Sequence, residues 1–125
     1  MKDFKELVQK RRSIRNFKDE ELKAEDLQTI LRAGLMAPTG KSVRGWHFVV
    51  VDNKDLLVRI SQCRQAGAAF VADAPVAVVV LYDTSLSDVW VEDSSIAAVT
   101  MQYQAADLGI GSCWAQVRLR SQEDG

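Results

Sequence analysis

Apolar residues recur at the spacing of an amphipathic helix in several stretches of the chain. The first stretch covers residues 3–12 and runs into a group of arginines, and the second extends from about Glu25 to Met36. A third helix is predicted to begin after Asp52 or Asn53, because either side chain can cap its first turn. The pattern therefore predicts three amphipathic helices in the first half of the chain.

A fourth helix is predicted from about Ser95 to Leu108, with Asp93 and Ser94 able to open it. Apolar or small residues cover nearly its whole circumference, and a glycine at 109 follows its end. A helix with almost no polar face is expected to lie buried, either at the centre of the domain or in a subunit interface.

Three strands are predicted between and after these helices. Residues 47–52 form a short β-branched run, and the continuous apolar run over residues 75–83 is typical of a central strand covered on both faces. Residues 112–120 are predicted as a third strand, and residues 84–92 as a loop with an exposed Trp90. The order αα-β-α-β-α-β indicates an α/β or α+β sandwich of sheet and helices.

Composition and charge narrow the classes of function. Of the 125 residues, 47% are hydrophobic and 26% are charged, and the net charge is −1. The protein therefore has no overall positive electrostatic potential that would attract nucleic acid or an anionic membrane. No apolar run is long enough for a membrane span, and the charged N-terminus does not resemble a signal peptide. We expect a cytoplasmic protein that binds neither nucleic acid nor membranes.

The sequence RRSIR concentrates positive charge at Arg11, Arg12 and Arg15 around Ser13. One interpretation is a solvated helix end, where cations favour the negative end of the helix dipole. A second is a nucleic-acid patch, and a third is a phosphate clamp in which the guanidinium groups and the serine hydroxyl surround one phosphate. The cluster alone leaves these alternatives open.

A second segment, APTGKSVRGWHF at residues 37–48, favours the phosphate clamp. Its small residues would let backbone amides approach a ligand, and polar groups beside a strand and an aromatic residue suit a flat heteroaromatic ring. The residues concerned are Thr39, Gly40 and Ser42, with the cations Lys41 and Arg44. Together the two segments predict a ligand with one phosphate end and one planar, polar-edged end.

Four segments in register resemble the nitroreductase family of FMN-dependent enzymes: RRSIRNF, LxxILRAGLMAPTGKSxxxWHFVVV, DAPVAVVV and AAxxxQYxAADLGIGSCW. The resemblance extends over nearly all of the chain. It implies an α+β sandwich with a central, mainly antiparallel sheet flanked by helices, and an intertwined homodimer with FMN at the subunit interface. It also implies that residues 1–125 form one FMN-binding domain that lacks its C-terminal part.

The resemblance further implies which residues bind the cofactor. The phosphate would be bound by the arginine–serine cluster, and the flavin ring by the second loop, which comes from the other subunit in family members. The stretch after the glycine pair would pass the ring near N5, and a third segment would touch its pyrimidine edge. These residues are Arg11, Arg12, Ser13 and Arg15; Pro38, Thr39, Gly40, Lys41, Ser42 and Arg44; Cys113, Trp114, Ala115 and Gln116; and Gln65 and Gly67.

The second loop departs from the pattern PSxxNxQPW that many family members carry. Ser42 stands where they have asparagine, Arg44 where they have glutamine and Gly45 where they have proline. Arg44 can still donate to a flavin carbonyl. Its charge also allows it to bind the phosphate of a nicotinamide or an acidic substrate.

The chain offers few residues for other chemistry. Cys63 and Cys113 form neither a CxxC pair nor a zinc ligand set, and small buried thiols are expected. His47 falls in a predicted strand, where a structural role is favoured over that of a general base. A nucleophile–base pair, a carboxylate dyad and a metal ligand set are all missing from the sequence pattern. Such a chain suits a flavoenzyme, because the cofactor carries the chemistry.

The expected function is reduction of nitroaromatic, quinone or similar small-molecule acceptors by NAD(P)H through FMN, in a ping-pong cycle of hydride transfer. Arg12, Lys41 and Arg44 are the candidates to stabilise the negative charge of the reduced flavin. The alternatives are a non-catalytic flavin-binding carrier module and an interaction domain without a cofactor. The sequence does not distinguish NADH from NADPH.

Overall fold

A computed structural model describes residues 3–121, which form four α-helices and one antiparallel pair of strands. Two short 3-10 helices, Gly40–Ser42 and Ala69–Asp73, lie in the connections. The helices are α1 (Phe4–Lys10), α2 (Ala24–Leu35), α3 (Lys54–Ser61) and α4 (Trp90–Asp107), and the strands are β1 (Trp46–Val51) and β2 (Ala77–Tyr82). The mixed α+β architecture expected from the sequence is confirmed.

The first three helices lie where the apolar pattern predicts them, and two begin at a side-chain cap. The Asp3 carboxylate accepts a hydrogen bond from the Glu6 amide at 2.9 Å. Of the two predicted caps of α3, Asn53 is the one used, and its Oδ1 accepts from the Leu56 amide at 3.1 Å. Both contacts satisfy amides that the helix itself leaves without acceptors.

The sheet pairs β1 with β2 from Trp46 opposite Tyr82 to Val51 opposite Ala77. The prediction that the second strand is central is wrong for the described residues, because β2 pairs with β1 alone. Its two faces nevertheless contact different clusters: Val78 and Val80 pack towards α2 and α4, and Ala77 and Val79 towards α3. The predicted coverage of this strand on both faces is therefore only partial, and the Leu81 side chain is exposed.

Helix α4 lies at the centre of the domain, as its apolar sequence predicts. Ala97, Met101 and Ala105 are buried against α2 and the sheet. Gly34 lets α2 approach α4 closely, since a Cβ atom there would lie 2.9 Å from Met101 Cγ. The outward side of α4 leaves Ile96 partly exposed, at 39%.

The start of α4 differs from its prediction, whereas its end agrees. The helix begins at Trp90 instead of Ser95, so Trp90 is a half-buried helical residue and not an exposed loop residue. Asp93 does not open the helix, because its own amide already donates to the Val89 carbonyl at 3.0 Å. Gly109, with φ of +77°, ends the helix as expected.

The prediction of a third strand over residues 112–120 is wrong. The segment makes one isolated parallel bridge, between Ser112 and Ser13, and is otherwise irregular. An alternating sequence forms a strand only where a neighbouring backbone accepts its hydrogen bonds, and within residues 3–121 that neighbour is present at Ser13 alone. None of the described helices is long and apolar enough to cross a membrane.

Candidate functional site

The arginine cluster follows α1 directly, and its members have different surroundings. The Arg11 guanidinium lies 5.8 Å from the centroid of the Tyr103 ring on α4, a cation–π contact. Arg12 Nη1 donates to the carbonyls of Gln9 and Arg11 at 2.8 and 2.9 Å, so this residue neutralises the C-terminal end of α1. Arg15 is exposed at the surface. The helix-end interpretation thus describes Arg12, while Arg15 remains accessible to a ligand.

A backbone bridge joins the cluster to the segment after α4. The Ile14 amide donates to the Ser112 carbonyl at 2.9 Å, within the parallel bridge between Ser13 and Ser112. Gly111 permits this approach, because a Cβ atom there would lie 3.0 Å from Ile14. The structure therefore brings the arginine cluster next to Cys113, as the site prediction requires.

The segment around Gln65 and Gly67 packs against the same region. Arg64 Nη1 donates to the Gln116 carbonyl at 3.1 Å, and the Gln65 amide donates to the Ser121 carbonyl at 2.9 Å. Gly67 adopts a φ of +95°, and a Cβ atom there would lie 3.0 Å from the Arg64 guanidinium carbon. Two of the predicted site segments are thus joined through Arg64.

Arg64 is a candidate site residue that the sequence reasoning missed. Its Nε is buried and has no hydrogen-bond partner within residues 3–121. A buried donor without an acceptor is costly in a folded protein and is often satisfied by a ligand or water. Its position next to Gln65 was the only signal in the sequence, because a lone arginine follows no motif.

The residues from Cys113 to Gln116 present both apolar and polar groups. The Trp114 ring is 44% exposed, and its Nε1 donates to Gln116 Oε1 at 2.9 Å. Ala115 packs against the cluster of Val51 and Leu57. Cys113 and Cys63 are both half-buried free thiols. The expectation that the two thiols are buried is therefore met only in part.

The second predicted segment forms an exposed, tightly turned loop. Three of its non-glycine residues, Lys41, Ser42 and Arg44, have φ values of 53°, 56° and 53°, in the left-handed region. The Arg44 amide donates to Thr39 Oγ1 at 3.1 Å across the turn. A cavity of about 410 Å³ lies beside the loop, lined by Leu35, Met36, Ala37, Pro38, Thr39, Ser42 and Arg44.

Asp93 connects this loop to the core. Its Oδ1 accepts from the Gly40 amide at 3.0 Å, and its Oδ2 accepts from the Tyr82 hydroxyl at 2.9 Å. Burial raises the pKa of the Tyr82 phenol above its ordinary value, and the hydrogen bond to Asp93 raises it further. The sequence pattern predicts Asp93 as an opener of α4, and it carries no signal for the contacts with Gly40 and Tyr82, because those residues are distant along the chain.

The two groups of predicted site residues lie at opposite ends of α4. The loop contacts Asp93 in the first turn, whereas Arg11 contacts Tyr103 near the end. These two helix positions are ten residues apart, which corresponds to roughly 15 Å along the axis. Within one chain the arginine cluster therefore lies next to the Cys113 segment, which in turn contacts the Gln65 segment, and the Pro38–Arg44 loop lies at the other end of α4.

Groups for other kinds of chemistry are sparse in the described part of the chain. His47 lies exposed on β1, in agreement with its predicted place in a strand. No group of three or more histidine, cysteine or carboxylate side chains there could hold a metal ion.

Comparisons with known proteins identify the family. The nitroreductase family model matches residues 8–68. A protein of Archaeoglobus fulgidus with the provisional name NADH dehydrogenase/NAD(P)H nitroreductase is 35% identical over 98% of this chain and 72% of its own length. A protein of Methanothermobacter thermautotrophicus with the same provisional name is 40% identical over 92% of this chain, which covers 61% of that relative. The chain belongs to the nitroreductase family.

Solved structures agree with this assignment. An FMN-dependent nitroreductase from Clostridium difficile superposes with a TM-score of 0.92 at 50% identity, covering 94% of this chain and 69% of that one. A nitroreductase with bound FMN from Bacteroides fragilis gives a TM-score of 0.78 at 28% identity, covering 91% and 70%. The chain thus spans about two thirds of the length of the relatives it matches.

Proposed function

We propose that this chain forms part of an FMN-dependent oxidoreductase that uses NAD(P)H to reduce a small-molecule acceptor. The observation that carries the proposal is the backbone bridge between Ser13 and Ser112. It holds a cluster of guanidinium groups, suited to a phosphate, against a segment with an exposed tryptophan, suited to a planar ring. The family relationship, the FMN-dependent relative from Clostridium difficile and the FMN bound in the relative from Bacteroides fragilis support the same ligand.

The residues present fit FMN in charge and in hydrogen-bonding capacity. Arg15 and Ser13 are exposed beside Arg11, so several donors are available to one phosphate. Arg64 adds a fixed positive charge and a buried donor with no acceptor in the described residues. A flavin carbonyl or ring nitrogen would supply that missing acceptor.

The separation of the two predicted groups supports a site shared between two copies of the chain. The loop carrying Pro38, Thr39 and Gly40 lies at the end of α4 remote from the arginine cluster. In a homodimer the loop of one copy could reach the cluster of the other, and one FMN would then contact both. Exposed apolar side chains on α1 and at the end of α2, including Phe4 at 67% and Met36 at 71%, are available to such an interface.

The chain would contribute binding and electrostatics. Bound FMN would supply the hydride and electron transfer between NAD(P)H and the acceptor. Arg64, with Lys41 and Arg44 of the loop, would favour negative charge on the ring because these side chains carry guanidinium and ammonium groups. Arg12 is less suited to that role than the sequence predicts, since its Nη1 already binds two carbonyls of α1.

The test is spectroscopic. The purified full chain is incubated with FMN, desalted and examined for bound flavin, then mixed anaerobically with NADH or NADPH. We expect retained yellow colour that bleaches on reduction and returns when a nitroaromatic or quinone is added. Protein that retains no FMN would contradict the proposal, and bound flavin that neither nicotinamide reduces would favour a carrier module instead.

A further inference from the structure

We propose that Asp93 is a positioning residue that fixes the 38–44 loop in the conformation needed to contact the cofactor. The inference rests on the proposed function, because it assigns the reason for the contact to FMN binding. The sequence pattern and the family comparison assign Asp93 no such part.

The carboxylate is placed to control the loop directly. Asp93 is 2% exposed, and it is the one buried charged side chain among residues 3–121. Its two oxygens have different partners: the Gly40 amide at 3.0 Å and the Tyr82 hydroxyl at 2.9 Å. A buried carboxylate persists only where such donors replace its lost hydration. Its place in the first turn of α4 is also favourable for a negative charge.

Asp93 and Tyr82 contact the backbone within the loop, at Gly40, and directly after it, at Gly45. At the start, a Cβ atom on Gly40 would lie 2.7 Å from Val89 Cγ2, so only glycine lets the backbone reach the carboxylate. At the end, a Cβ atom on Gly45 would lie 2.7 Å from the Tyr82 ring. Since the Tyr82 hydroxyl donates to Asp93, one hydrogen-bonded pair lies against the backbone at both positions and binds it directly at Gly40.

The loop needs such a restraint because its backbone is strained. Lys41, Ser42 and Arg44 all have left-handed φ values near 55°, which side-chain-bearing residues rarely adopt. Strained conformations persist only where surrounding contacts determine them, and they are common where a loop must present groups to a ligand. Without the contact to Asp93, the Gly40 amide loses its acceptor, and the turn is restrained less firmly by its remaining internal hydrogen bonds from the Ser42, Val43 and Arg44 amides.

The experiment compares Asp93→Ala and Asp93→Asn with Glu92→Gln as the matched control. Asparagine keeps an oxygen for the Gly40 amide and can donate its NH₂ to the Tyr82 oxygen, so it should rescue the positioning. Glu92 is the neighbouring exposed carboxylate on the same helix turn, and its loss removes charge without touching the loop. The readouts are the FMN dissociation constant and the hydrogen-exchange rate of the loop containing Gly40 in the cofactor-free protein.

We expect Asp93→Ala to weaken FMN binding about tenfold or more and to raise loop exchange by a similar factor, from the loss of one charge-assisted hydrogen bond and its restraint. For Asp93→Asn, both the FMN dissociation constant and the loop exchange rate should stay within about threefold of the values for the unchanged protein. Glu92→Gln should give the same values as the unchanged protein. Unchanged loop exchange in a folded Asp93→Ala variant would overturn the inference, as would unchanged FMN affinity.

If Asp93→Ala does not fold, Gly40→Ala serves instead, because it leaves the carboxylate in place and separates the loop from it. Increased loop exchange and weaker FMN binding would then support the inference, and normal values for both would overturn it. If the unchanged protein binds no FMN, the proposed function fails. Loop exchange in the variants then shows only whether the contact between Asp93 and Gly40 restrains the loop. The role of Asp93 in cofactor binding is in that case contradicted together with the proposed function.

Discussion

Replacing Arg64 by methionine separates the contribution of this residue to folding from its contribution to ligand binding. Methionine keeps an unbranched side chain about as long as the arginine stem up to Nε, but removes the charge and the hydrogen bond from Nη1 to the Gln116 carbonyl at 3.1 Å. A hydrogen bond from a charged donor contributes about 1.5–3 kcal/mol. The change also removes a buried Nε that has no partner in the described residues, and an unsatisfied donor costs about 1–3 kcal/mol.

In the free protein, the loss of the hydrogen bond lowers the free energy of unfolding, and removal of the unsatisfied donor raises it. In the complex the flavin would satisfy that donor, so the second effect would be absent. The free energy of unfolding without FMN should therefore change by less than about 2 kcal/mol. FMN affinity should fall roughly tenfold to hundredfold if the guanidinium donates to the flavin, because every 1.4 kcal/mol is a factor of ten.

Urea unfolding of the free protein and a fluorescence titration with FMN measure the two quantities separately. Arg59→Met is the control, since Arg59 is an exposed arginine on the neighbouring helix α3 and its loss should alter neither value. Unchanged FMN affinity in a stable Arg64→Met variant would refute the assignment of Arg64 to the site. A large loss of stability without FMN would refute the view that its buried donor is unsatisfied.

Two further predictions concern the core and the Tyr82 hydroxyl. Gly34→Val should destabilise the protein by about 2 kcal/mol or more, because even a Cβ atom would lie 2.9 Å from Met101 and Phe48. Urea denaturation measures this loss of stability. The control Gln28→Val, on the exposed face of α2, should lower the free energy of unfolding clearly less. Because the folded-state pKa of Tyr82 lies above its reference value of 10.0, the stability it contributes is complete below that pH and is lost as the pH rises through the raised pKa. Tyr82→Phe should therefore flatten the alkaline fall in unfolding free energy, and parallel curves for both proteins would contradict this.

The helices were predictable from the sequence because their apolar faces and caps are local features. The spacing of apolar residues located α2 to within a residue at each end, and Asn53 capped α3 as proposed. The start of α4 was not predictable in this way, since Asp93 has the appearance of a helix opener. Its carboxylate instead binds Gly40 and Tyr82, which are distant in sequence.

Strands and site residues depended more on distant contacts. Residues 112–120 were predicted as a strand, but a strand requires a neighbouring backbone and the bridge to Ser13 is a single pair. The arginine cluster and the Cys113 segment were predicted separately, and the structure brings them together. Arg64 carries no pattern of its own and becomes visible as a candidate only through its buried Nε.

The central claim is that guanidinium groups after α1 bind the phosphate of FMN, and the ratio of FMN to riboflavin affinity tests it most directly. The two flavins differ only in the phosphate, so the ratio isolates the contacts made to it. We predict that the unchanged protein prefers FMN strongly and that Arg11→Ala with Arg15→Ala lowers this preference by about a hundredfold or more, while Lys5→Ala on the exposed side of α1 leaves it intact. A double variant that folds and still prefers FMN to the same degree would contradict the claim.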